Sequence, residues 1–303
     1  MKLPPETYTY RGILMILSMK VSSLSFDLSE RKYSVTVPEM FGYLLSPSTL
    51  LFGPALPFSS YRTAFIPQSI KSHIVSSLTG LFYVLFCLLC LMVSTCISPL
   101  ILPDNGIGRD YGDAQSFRFS HYFICFWAQA LVSISGEDSP LIVDLIEIEL
   151  PRSLTQIVSL WNVPMHHYLY HYVYVRLRSF GTFFAVLITF TVSSLFHGLN
   201  GQLSLVLLSL AFVSYTERRL RSSLSSLLSS CIKSRRCHSK CSHIHSSSSI
   251  LSISINLLFS ILSIYHLIYL GMPWNGESMS YPISHTVNTW KEHYFLSHII
   301  SIS

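Results

Sequence analysis

Residues 179–216 read SFGTFFAVLITFTVSSLFHGLNGQLSLVLLSLAFVSYT, without a single Asp, Glu, Lys or Arg. One helix crosses a bilayer with about 20 apolar residues, so this run is too long for one span and fits two. Gly198, Asn200 and Gly201 supply the turn between them. His197 stands at that turn. An ionisable imidazole within an apolar membrane run is costly to keep and is by default a candidate functional group.

Working outward, Leu154, Ile157, Val158 and Trp161 form an i, i+3, i+4, i+7 stripe behind Pro151, a residue suited to a first helical turn. The pattern predicts a short amphipathic helix at the interface that hands Asn162 to the next element at the Pro164 break. Residues 165–178 are rich in His and Tyr and end on Arg176 and Arg178, an interfacial flank. Towards the N-terminus, 118–135 reads as a span, 104–117 as a polar connection, and 136–150 as a segment outside the membrane. The run 74–102 has no charge and is the clearest span; Phe52-Gly53-Pro54 and Pro57 predict a broken segment over 40–58. In the apolar stretch 12–28, Lys20 and Asp27 share one helix face two turns apart. Either that face meets protein interior, or the helix lies at the lipid edge with its ends snorkelling. Residues 250–272 complete the set.

Composition agrees with this pattern. The 303 residues are 50% hydrophobic and only 12% charged, with mean hydropathy +0.46. Soluble domains carry about 25% charged residues, so an all-α, polytopic transmembrane bundle is expected. The net charge of +5 is concentrated at Arg218, Arg219, Arg221, Lys233, Arg235, Arg236 and Lys240, opposed only by Glu217. Between spans such a cluster marks 217–249 as a basic cytoplasmic loop; with no recognisable binding module elsewhere, nucleic acid is not expected as a partner. The Ser-rich part, 222–249, reads as a linker. The opening residues MKLPPE lack the apolar core of a signal peptide.

Cys87, Cys90 and Cys96 lie in an apolar run and read as small core hydrophobes. Cys231-x5-Cys237-x3-Cys241-x-His243-x-His245 is rich in ligand types but lacks the tight C-x2-C spacing of a zinc motif. His167 and His171 lie one turn apart next to His166, with no acidic or Cys partner near. No metal is assigned to either group, and the loop cysteines are expected to be reduced thiols.

Neutral His plus a fixed amide suits acyl transfer. As a hydroxyl attacks a thioester it loses a proton, which an imidazole can take, and an amide can stabilise the charge that builds on the thioester oxygen. A structural His satisfied by a backbone carbonyl is the competing reading.

Trp161-Asn162 upstream of an embedded His197 resembles the membrane-bound O-acyltransferases. Ordered blocks extend the likeness over residues 11–295: Arg11-Gly12, Met15-Ile16, Met19-Lys20 and Phe26-Asp27-Leu28; Phe41-Gly42-Tyr43-Leu44 and Phe52-Gly53-Pro54; Leu150-Pro151 and Pro164-Met165; Gly181-Thr182-Phe183; Leu195-Phe196-His197-Gly198; Leu207 to Phe212; and Arg235, Cys237 and Cys241-Ser242-His243. The resemblance is strongest to the members that acylate a serine of Wnt proteins. It implies transfer of palmitoleate from palmitoleoyl-CoA to a Wnt serine at the endoplasmic-reticulum membrane, with no permanently bound cofactor and with Wnt proteins, acyl-CoA and the bilayer as partners. It further implies His197 as base and Asn162 as polariser of the thioester. Trp161 then walls the acyl or CoA channel, and Arg176 and Arg178, on charge type, meet CoA phosphates. A luminal serine and a cytosolic acyl-CoA require a tunnel open to both sides. Residues 1–303 then form one partial acyltransferase domain, because the family begins with further helices and its last helix is longer. A second departure is Gln202, where the family carries another His five residues after the first. A sibling acyltransferase acting on a lipid or another secreted peptide, or an incomplete chain that only binds, fits the shared motifs too.

Overall fold

The computed structural model describes residues 6–101, 106–198, 200–237, 241–274 and 282–302. The chain is all-helical: α1 (Glu6–Ser29), α2 (Val37–Leu44), α3 (Pro47–Leu50), α4 (Phe58–Thr63), α5 (Ile70–Met92), α6 (Ser98–Ile101), α7 (Gly106–Ser135), α8 (Leu145–Glu149), α9 (Leu154–Trp161), α10 (Val163–Leu169), α11 (Val175–Leu177), α12 (Thr182–Phe196), α13 (Gly201–Leu227), α14 (Ile250–Gly271), α15 (Ile283–Glu292) and α16 (Leu296–Ile302). Wider π-turns occupy Val93–Ile97 and Tyr170–Tyr174. By length and composition, residues 12–29, 70–97 and 250–271 can each cross a membrane. Lateral Leu78, Leu81, Phe82 and Leu85 of α5 are all more than half exposed, as befits a lipid-facing surface.

α7 is the largest departure from the sequence expectation. The polar connection foreseen at 104–117 is helical from Gly106 and continuous with the segment 118–135 expected as a span, and α7 as a whole is not among the helices apolar enough to cross a membrane. Its charges are matched rather than solvated. Arg109 pairs with Asp113 one turn on, and Arg118 makes a two-pronged contact with Glu149 at 2.8 and 3.1 Å. α7 packs along α5, where Gly80 admits Ile134; a Cβ at Gly80 would lie 2.5 Å from the Ile134 side chain. Serines reinforce the pair: Ser94 Oγ donates to the Ser116 carbonyl at 2.8 Å, and Ser116 Oγ to the Ser94 carbonyl at 2.9 Å. Cys87 and Cys90 are core residues of this pair, but Cys96 is exposed, because the π-turn rotates it off the buried face.

Lys20 and Asp27 face protein. Lys20 Nζ donates to the Tyr43 carbonyl at 2.7 Å and also to Thr49 Oγ1; Asp27 accepts from Tyr172 and pairs with Lys32 at 2.9 Å. The segment 40–58 is broken as its prolines require. Helix α13 runs on to Leu227, so the first turns of the Ser-rich stretch are helical and the irregular connection begins after it.

At that end of α13 a polar lock joins four elements. Fully buried Arg221 donates to the Arg152 carbonyl at 3.1 Å and to Asn256 Oδ1 at 2.8 Å, and its guanidinium lies over the Phe259 ring at 4.5 Å. Glu217 accepts the Leu154 N–H at 2.8 Å, holding the first turn of α9.

Candidate active site

Local rules place Asn162. Ser153 caps α9, its Oγ accepting from the Gln156 N–H at 3.2 Å. The stripe expected there is observed, with Leu154 and Ile157 buried. Asn162 ends α9 with extended backbone (φ −150°, ψ 91°) and caps α10 at once, while Pro164 occupies the first turn. The flanking backbone is tied down on both sides: Val163 N–H donates to the Ile142 carbonyl at 2.8 Å, and the His121 Nε2 donates to the Trp161 carbonyl at 2.8 Å.

This cap decides which end of the Asn162 amide is available. Its Oδ1 accepts the Met165 N–H at 3.1 Å. The opposite flip would set an NH2 against an N–H, so the network fixes the orientation. The side-chain oxygen is committed to the cap, and the NH2 is the group left for the cavity.

His197 closes α12. Its N–H donates to the Ser193 carbonyl at 3.3 Å, and Gly198 then takes φ +84°, a conformation that a side chain disfavours. Asn200 caps α13 through the Leu203 N–H at 3.2 Å. The uncharged run folds as a helical hairpin, α12 and α13, with His197 at its turn, but neither helix is among those long and apolar enough to cross a membrane, α12 having only 15 residues. Among the described residues no side chain hydrogen-bonds to the His197 ring.

Asn162 and His197 line one cavity of about 510 Å³, enclosed by α1, α7, α9, α10, α12, α13 and α14. That is within the roughly 300–1,000 Å³ typical of small-molecule sites. Trp161 walls it, stacked on His121 at 4.4 Å, while Phe117 stacks on Trp274 at 4.6 Å. Of the residues expected from sequence, Trp161, Asn162 and His197 all line this cavity.

Arg176 and Arg178 do not. Both are exposed, and Arg176 is held by Glu30 at 2.7 Å and by the face of Phe26 at 4.5 Å. The cationic side chains at the cavity are Arg118, Arg218 and Arg235. Because Arg118 is committed to Glu149, Arg218 and Arg235 are the two suited to an anionic ligand. From Leu203 to Arg218, both at the cavity wall, α13 advances about 22 Å at 1.5 Å per residue. The arginine end is thus far from the His197 turn. Gln202 is buried and donates to the Pro273 carbonyl at 3.0 Å, a structural role for the position where a second His was expected. His121 was missed by sequence reasoning, although it stands in a span and invites the same argument as His197.

Sequence comparison now bears on this geometry. The profile of the MBOAT, membrane-bound O-acyltransferase family, matches residues 141–232, which contain both Asn162 and His197. The protein-serine O-palmitoleoyltransferase porcupine of Homo sapiens is 36% identical over 96% of this chain and 71% of its own length. The chain belongs to the membrane-bound O-acyltransferase family. Within it the likeness is to the porcupine group: the Drosophila melanogaster porcupine is 35% identical over 96% of this chain and 62% of its own length. Lysophospholipid acyltransferase 1 of Arabidopsis thaliana is more distant, 25% identical over 62% of this chain. This member of the family is an integral membrane acyltransferase, and the matched segment supplies Asn162 and His197 to the cavity.

Proposed function

We propose that this chain is a protein-serine O-palmitoleoyltransferase that moves a palmitoleoyl group from palmitoleoyl-CoA to a serine of a Wnt protein in the endoplasmic-reticulum membrane. In this reading His197 accepts the serine Oγ–H proton as the oxygen attacks the thioester carbonyl. The Asn162 NH2 donates to the oxyanion of the tetrahedral intermediate. Collapse expels CoA thiolate, which recovers the proton from the His197 imidazolium, leaving the serine ester and free CoA. The acyl chain lies along the apolar cavity wall beside Trp161. Arg218 and Arg235 take the CoA phosphates, a role for which bidentate guanidinium is suited. The C-terminal end of α13, which carries Arg218, and the basic connection after it, which carries Arg235, face the cytosol, where acyl-CoA is found. Residues 1–303 act as one acyltransferase domain.

The observation that carries this reading is the shared cavity of Asn162 and His197, with the amide turned so that its donor end is free. The test is transfer from palmitoleoyl-CoA to a Wnt-derived serine peptide by purified protein. His197→Ala should abolish turnover while membrane insertion and thermal stability are unchanged. Near-normal turnover in that variant would remove His197 from the chemistry.

A further inference from the structure

The connection after α13 is held to the bundle by polar contacts rather than by apolar packing. Among the described residues its regular backbone is a single bridge between Ser230 and His245. Cys231 and Ile232 are fully buried there, yet neither belongs to one of the apolar core clusters of the bundle. Nevertheless two buried or half-buried arginines depend on its carbonyls. Arg152 donates to Cys231 O at 2.8 Å and to Lys233 O at 3.1 Å, Arg221 donates to Lys233 O at 3.4 Å, and Asn256 Nδ2 donates to Cys231 O at 3.2 Å.

Four ligand-type side chains converge at this point. The Sγ atoms of Cys231, Cys237 and Cys241 and a ring nitrogen of His243 all lie within 4.8 Å of one another. Zinc binds sulfur at about 2.3 Å and nitrogen at about 2.0 Å, so tetrahedral ligation needs sulfur–sulfur edges of about 3.8 Å and sulfur–nitrogen edges of about 3.5 Å. Cys231 and Cys237 Sγ lie 3.6 and 3.8 Å from His243 Nδ1, and Cys231 and Cys241 Sγ lie 3.1 Å apart. The other ring nitrogen, Nε2, meets Ser225 Oγ on α13 at 3.4 Å. A metal-binding His ordinarily has its far nitrogen oriented by such a hydrogen bond.

We propose that Cys231, Cys237, Cys241 and His243 form a structural zinc site that clamps this connection onto the start of α9 and the end of α13. Three thiols release their protons to solvent on binding, and the neutral imidazole gives its Nδ1 lone pair. The resulting centre carries one net negative charge, matched by neighbouring Arg152, Lys233 and Arg236. Soft thiolate ligands select zinc over hard cations, and four protein ligands leave no open coordination position, as in structural rather than catalytic sites. The clamp sets the approach of Arg235 to the cavity and of Arg236 to Glu147, 2.8 Å away. This revises the sequence reading in which the loop held no metal: spacing alone lacked a motif, but the Ser230–His245 bridge folds His243 back over Cys231.

The test is multi-element mass spectrometry of the full chain purified in detergent without chelator. About one zinc per chain is expected, and Cys231→Ser combined with His243→Ala should remove it, while exposed Cys96→Ser leaves it in place. Ser225→Ala should weaken zinc by about 10-fold or more in competition with a chromogenic chelator, as loss of an outer-shell partner does. The unsubstituted chain gives a second readout that needs no variant. Cobalt exchanged into it should show thiolate charge-transfer and tetrahedral d–d absorption, lost on mercurial titration of the thiols. Zinc below about a tenth per chain, iron in its place, or a Cys231–Cys241 disulfide in zinc-free protein would each overturn the proposal.

Discussion

Substituting Asn162 separates two roles that the structure gives to the two ends of one amide. The Oδ1 end caps α10 through the Met165 N–H at 3.1 Å; loss of such a cap costs about 1 kcal/mol of stability. The NH2 end is placed as an oxyanion donor, and removal of one such donor costs about 2.7–4 kcal/mol, or roughly 10²–10³ in kcat. Asn162→Ala loses both and should show both effects. Asn162→Asp is the discriminating variant. Aspartate caps as well as asparagine, so its thermal midpoint should match that of the unsubstituted chain. An ionised carboxylate offers acceptors only and would sit against a developing negative charge, so kcat should fall at least as far as in the Ala variant. The assay is single-turnover transfer to a serine peptide at saturating palmitoleoyl-CoA, followed by mass spectrometry, with thermal unfolding measured on the same preparations. If Asn162→Asp retains turnover within about threefold while Asn162→Ala loses the full 10²–10³, the residue acts through the cap and the oxyanion assignment is refuted.

Two further outcomes follow from the cavity and its basic end. Arg218→Ala and Arg235→Ala should each raise the KM for acyl-CoA by about 10-fold, the loss of one charge-assisted contact of about 1.5 kcal/mol, whereas Arg176→Ala should leave it unchanged. An effect confined to Arg176 would return the phosphate site to the sequence-based assignment. In sealed microsomes an impermeant maleimide should label Cys237 and Cys241, which are partly exposed, without detergent, and should label them faster after a strong chelator; Cys231, fully buried, should react only on unfolding. Labelling that requires permeabilised membranes would invert the topology.

What could be read from the sequence was what local rules govern. A long uncharged run with a Gly-Asn-Gly cluster specifies two helices and a turn, although neither helix is long and apolar enough to count as a membrane span. A stripe ending at Asn followed by Pro specifies a helix end, a cap and a new start, and the caps found at Asn162 and Asn200 follow that logic, whereas Pro151, expected in the first turn of α9, lies two residues ahead of its Ser153 cap. The failures share a cause, which is a partner remote in sequence. Asp110 is one of the charges that made 104–117 look like a polar connection, because hydropathy counts a charge as solvated; its partner, His293, comes from after α15. His121 went unnoticed for the same reason, since its target is the Trp161 carbonyl, forty residues on. Arg176 was assigned to phosphate by charge type, and Glu30, across the bundle, already neutralises it. The cysteine cluster is the clearest instance. Spacings of five, three and one match no compact zinc motif, yet a single backbone bridge between Ser230 and His245 converts them into one set of convergent ligands. In a membrane bundle with so few charges, a buried charged or ligating side chain must be matched within the protein, so its partner, rather than its own type, determines what it does.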